Sequence, residues 1–154
     1  PSGELSMPDK ALELLDFAIV SIHSSFNMNK KEMTNRIIRA LGHPKAKILG
    51  HPTGRLLNQR EGYEIDWDEL FNFCLKNHKI LEISAYPNRL DLPDTLVREA
   101  VKLGVMLCVG SDAHSVDEME LMYYGVAVAR RGWAEKNSII NTFPANEIND
   151  ILLK

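Results

Sequence analysis

The sequence alternates between two kinds of segment. A short run of apolar, β-prone residues is followed by a longer stretch in which apolar residues return every three or four positions. Residues 17–22 (FAIVSI), 48–50, 80–84, 106–110 and 139–141 form the short runs and read as strands. Between them, Asn29 followed by Glu32 opens a helix carrying Met33, Ile37, Ile38 and Leu41. Asp66 with Glu69 opens another, with Leu70, Phe71, Phe73 and Cys74 on its apolar side. A helix is expected from 93 to 103, ended by Gly104. Ser115 with Glu118 resembles a further capping box, ahead of a helix reaching Arg131. Ser6, Met7 and Pro8 open a short helix at the start of the chain, and Pro144 opens a closing one.

Strands that alternate with helices imply a parallel α/β sheet or barrel. A closed barrel of this kind conventionally takes eight strands. Five are too few, so the expectation is an open sheet, or part of a barrel whose remainder lies upstream. No linker divides residues 1–154 into two domains. The irregular stretch 55–65 reads as an elaborated loop between a strand and its helix.

Charge narrows the function. The formal net charge is −3, and no basic stripe marks a surface that coats nucleic acid. A phosphate-processing site remains open, because bound metal ions can supply local positive charge. Cys74 and Cys108 sit in apolar stretches with no CxxC partner, as buried thiols do. That fits a reducing, cytoplasmic setting. No apolar run is long enough to cross a bilayer, so no membrane partner is expected.

The polar residues fall in one pattern. His23 follows the first strand and His51 the second. Glu82, Tyr86, Asn88 and Arg89 lie at or beyond the end of the third, and Asp112 and His114 follow the fourth. In parallel α/β proteins the active site lies at the carboxyl ends of the strands. His23, His51, Asp112 and His114 are nitrogen and oxygen ligands suited to Zn²⁺, Mn²⁺ or Fe. A bland alternative has Asp112 in a turn and His114 in solvent. His43 precedes the second strand, at its wrong end. His78 ends a helix, where a partly charged imidazole is favourable. Both are expected to be structural or exposed. Arg55 and Arg89 lie in two loops above the same edge. They suit a phosphate, or else pair with carboxylates such as Asp91. Arg130 and Arg131 read as helix-end surface residues. No phosphate-binding glycine loop, serine nucleophile elbow or catalytic cysteine motif is present.

The stretches AIVSIHS (18–24), GHPTGRLL (50–57), LEISAYPNRLDL (81–92), GSDAH (110–114) and ARRGW (129–133) resemble, in order and spacing, the PHP (polymerase and histidinol phosphatase) domain of bacterial family X DNA polymerases. The resemblance implies the C-terminal part of a distorted seven-stranded (β/α) barrel, with the N-terminal half of the barrel absent from this chain. It implies metal ligands at His23, His51, Asp112 and His114. Asp112 also orients the attacking hydroxide, and Asn141 follows the last strand. Divalent ions, Mn²⁺ or Zn²⁺ with Fe as a further candidate and up to three in the intact domain, are the implied cofactors. The implied activity is hydrolysis of phosphoesters at DNA 3′ ends, as exonuclease or 3′-phosphatase. The implied partners are DNA ends, the upstream half of the domain, and a polymerase domain in the same polypeptide. By itself the chain is expected to be weak or inactive. Two other readings stay open: a stand-alone phosphatase for a small phosphomonoester, and a non-catalytic module that supports a polymerase.

Overall fold

The computed structural model describes residues 2–153. Four strands, β1 (Ala18–Val20), β2 (Ala46–Leu49), β3 (Ile80–Ser84) and β4 (Leu107–Gly110), form one parallel sheet in sequential order. Helices α2 (Lys30–Leu41), α3 (Trp67–Asn77) and α4 (Asp94–Leu103) make the three crossovers. Before the sheet lies α1 (Asp9–Leu12), and after it come α5 (Met122–Arg131) and α6 (Ala145–Leu153).

Two of the expected helix starts form as the sequence implies. The Asn29 side chain accepts the Glu32 N–H at 2.9 Å, and Asp66 accepts the Glu69 N–H at 3.1 Å. Each satisfies a donor that the first turn leaves free. Gly104 ends α4 at φ +82°, in the left-handed region. On α2, Met33, Ile37 and Leu41 repeat at four-residue spacing and are fully buried. Each such side chain contributes about 1.5–3 kcal/mol of burial free energy.

The pairing register sorts the strand residues between two faces. Leu49 pairs with Leu81, Leu81 with Leu107, and Ile83 with Val109. This face packs under α2 to α5 in the main core. On the other face lie Ile48, Ile80 and Cys108, covered by Ile140 and by Ile148, Ile151 and Leu152 of α6. Farther along that second face come Gly50, Glu82, Ser84 and Gly110.

Two expectations are corrected. The fifth strand is reduced to Ile139, which bridges in parallel to Leu107 before a tight turn at Ile140–Thr142. The Asn141 side chain then does what a strand backbone would. It accepts the Val109 N–H at 2.8 Å and donates to the Val109 carbonyl at 3.0 Å. The Ser115 capping box does not form: Glu118 reaches back to the His114 N–H instead, and α5 is preceded by a 3₁₀ turn over Asp117–Leu121. The first helix is one turn long. The sheet is open rather than a closed barrel. Among the described residues, no helix is long and apolar enough to cross a membrane.

Candidate functional site

Because the four strands run parallel, the residues that follow them emerge at one edge. His23 lies three positions beyond β1, His51 two beyond β2, and Asp112 and His114 two and four beyond β4. The loops then decide which side chains meet.

His23 and His51 do meet. Their ring centroids are 5.3 Å apart, tilted at 56°. The Nε2 of His23 is 2.5 Å from the Ser21 hydroxyl, so one ring nitrogen is oriented by a neighbour. His51 is 7% exposed, and its Nδ1 is buried without a hydrogen-bond partner. Burial, and then the nearby Arg89 charge, push the imidazole down to about pKa 4. It is therefore neutral at pH 7, with a lone pair available for a ligand. Arg89 arrives from the loop after β3. Its Nε lies 3.3 Å from Asp112 Oδ2, while its Nη1 is buried with no partner. Asp112 is close enough for its charge to act on His51. The structure thus gathers His23, His51, Arg89 and Asp112.

It leaves His114 apart. That side chain is 78% exposed and faces Glu118, with Nδ1 4.0 Å from the carboxylate. Arg55 is close to the site but otherwise occupied. Its Nε donates to the Arg89 carbonyl at 2.8 Å and its Nη2 to the Leu90 carbonyl. The loop between β2 and α3 is thereby fastened to the loop after β3. His43 and His78 lie where the sequence placed them. His43 accepts the Lys45 N–H in the turn before β2, and His78 is the exposed, left-handed residue that ends α3.

Two carboxylates have roles that the sequence did not assign, although Glu82 was placed near the strand end and Asp91 was weighed as an arginine partner. Asp91 is fully buried and accepts the Thr53 N–H at 3.0 Å and the Gly54 N–H at 2.9 Å. With Arg55 running the other way, this makes a reciprocal clasp between GHPTGR and NRLD. Burial pushes the Asp91 carboxyl up to about pKa 6, against the hydrogen bonds that favour its charged form. Gly54 completes the clasp at φ +66°, where an added Cβ would lie 2.3 Å from the Tyr63 ring. The second carboxylate, Glu82, lies in β3, and its Oε2 accepts the His51 N–H at 2.8 Å. A charged residue inside the apolar run LEIS was the available signal.

The donors match a divalent ion in chemistry: two imidazoles side by side, one with an unpartnered buried nitrogen, near a carboxylate. They fall short in number. Among the described residues, no group of three or more His, Cys, Asp or Glu side chains is placed to hold one ion.

No family model matches the chain. Over 152 residues, 99% of its length, it is 38% identical to the protein named DNA polymerase/3′-5′ exonuclease PolX of Bacillus subtilis (strain 168). The likeness runs along essentially the whole chain. The chain spans 27% of that relative's length.

Proposed function

We propose that this chain is the C-terminal part of a PHP-type, metal-dependent phosphoesterase domain attached to a family X DNA polymerase, acting on phosphoesters at DNA 3′ ends. The observation that carries the reading is the meeting of His23, His51, Asp112 and Arg89 at the carboxyl edge of a parallel sheet. The likeness to a relative whose name includes a 3′-5′ exonuclease supplies the substrate class.

In this reading His23, His51 and Asp112 are ligands of divalent ions, and the remaining ligands come from elsewhere in the longer polypeptide. His114, exposed beside Glu118, is the further candidate ligand on this chain. A bound divalent ion lowers the pKa of a coordinated water and stabilises charge on phosphoryl oxygens. The chain's own residues do the rest. The buried, neutral His51 offers a nitrogen without first having to lose a proton. Asp112 accepts a hydrogen bond from the attacking oxygen and orients it. Arg89, whose Nη1 has no partner, holds a phosphate oxygen. Arg55 is assigned to holding the loops rather than to the phosphate, since two of its donors already serve backbone carbonyls.

The shortfall of ligands also favours a second reading, in which the segment is a structural module of a polymerase without chemistry of its own. One experiment separates the two. His51→Ala and Asp112→Asn are made in the polypeptide that carries this domain, and Mn²⁺-dependent hydrolysis of a 3′-terminal phosphodiester is measured beside nucleotide incorporation. A loss of roughly 10–100-fold or more in hydrolysis, with incorporation kept, is expected of lost ligands. Unchanged hydrolysis in both variants supports the structural module.

A further inference from the structure

We infer that Glu82 is a positioning residue for His51, and that Gly110 is a glycine because this carboxylate occupies the space of its side chain. The inference deepens the proposed function and rests on it only where zinc is concerned.

His51 has φ +31°, a backbone conformation that side-chain-bearing residues rarely adopt. Something must hold it there, since such a residue relaxes when its surroundings permit. Its N–H is directed at Glu82 Oε2 at 2.8 Å. Glu82 is 8% exposed. It faces away from the main core, on the same side of the sheet as Gly50 and Gly110. A Cβ built on Gly110 would lie 2.2 Å from Glu82 Oε1, closer than any real contact. The carboxylate is thus confined from the β4 side while it grips the loop after β2. One buried side chain in the middle strand fixes the backbone from which a candidate ligand projects.

Burying a carboxylate costs free energy, and no lysine or arginine forms an ion pair with Glu82 among the described residues. A residue that served only to fill space would be replaced at no loss by an apolar one. The hydrogen bond to His51 is what an apolar residue cannot supply.

The test uses the chain in zinc-free buffer, with two readouts: hydrogen exchange at the His51 amide, and zinc titration followed at the His23 and His51 ring resonances. Glu82→Leu removes a buried carboxylate but also leaves the His51 N–H without a partner, so the two effects oppose and the global denaturation midpoint is expected to move little. It should speed His51 amide exchange about tenfold, as loss of a charge-assisted hydrogen bond implies. It should also weaken zinc binding by roughly 10–100-fold. Glu82→Gln keeps an oxygen facing the amide and should restore both readouts. Gly110→Ala should reproduce the Leu defect by displacing the carboxylate, and it decides the matter if Glu82→Leu does not fold. Wild-type exchange at His51 in both Glu82→Leu and Gly110→Ala overturns the inference, as does a Glu82→Gln chain as defective as Glu82→Leu. Where zinc binding by the wild-type chain is too weak to titrate, as two ligands imply, amide exchange alone judges Glu82.

Discussion

At the scale of single residues, the sorting of the histidines is the sharpest test of the site. His51 has its pKa lowered from the ordinary 6.5 to about 4, chiefly by burial. Its ring resonances should therefore titrate near pH 4 in the metal-free chain, not near 6.5. The sign for stability follows from linkage. Between those two values the unfolded chain binds more protons than the folded one, so this contribution rises with pH. It is fully present above about pH 6.5 and lost as pH falls through 4. Replacing His51 with Gln should flatten the pH dependence of denaturant unfolding over that window; an unaltered slope would show that His51 is not buried neutral. On the proposed function, His43→Ala and His78→Ala should leave metal binding and phosphodiester hydrolysis of the proposed longer polypeptide near wild type, since one rests in a turn and the other caps a helix in solvent. The sequence distinguished these two from His23 and His51 because position relative to a strand end is legible in hydrophobic periodicity. For His114 it left two readings open, ligand or solvent-exposed loop residue, because a loop's path depends on contacts such as the one to Glu118. It did not give the roles of Asp91 and Glu82, which it named, because their partners are backbone N–H groups 31 to 38 residues away.

At the scale of elements, the motifs GHPTGR and NRLD are explained together. Asp91 holds two N–H groups of the first, and Arg55 holds two carbonyls of the second. Loss of either side chain leaves buried or half-buried backbone groups without partners. Asp91→Asn presents an NH₂ group where acceptors are needed, and should destabilise the chain by about 1–3 kcal/mol. Denaturant unfolding would measure this, and a change below a few tenths of a kcal/mol would dismiss the clasp. Gly54→Ala should be at least as harmful, through the left-handed backbone and the Tyr63 ring together. The elements themselves were largely legible. All four strands and the α2 and α3 caps follow from apolar runs and from Asn29 and Asp66. What the sequence overstated was the run at 139–141, which is β-prone by composition yet pairs through one residue. There the Asn141 side chain replaces the strand backbone beside Val109, a substitution that no propensity encodes. The 3₁₀ turn before α5 was hidden for a similar reason, because Glu118 has two nearby N–H groups to choose between.

At the scale of the whole molecule, the open sheet sets what this chain can do unaided. Its first edge strand carries Ile19, 55% exposed, on the face where α6 covers Ile48 but leaves Ile19 bare. The site above it holds an imidazole pair, with Asp112 turned to Arg89 rather than to a shared centre. A catalytic metal needs about three protein ligands and an open position for water. Among the described residues no such group of three exists. Two ligands hold an ion weakly, and a loosely held ion does not keep a water in line with a phosphorus. Misplacement by about 1 Å can by itself cost ~100-fold in rate. The chain alone, with Mn²⁺ or Zn²⁺, should therefore turn over a 3′-phosphorylated oligonucleotide and an aryl phosphate at least ~100-fold more slowly than the longer polypeptide proposed to carry it. The two are to be assayed side by side at equal concentration. Titration of the ion should show weak, unsaturated binding to the chain over the range that saturates the longer protein. Comparable turnover from both would mean that His23, His51, Asp112 and His114 complete a site by themselves, with His114 swinging in from solvent when the ion arrives. In that case His114→Ala would abolish the activity of the short chain.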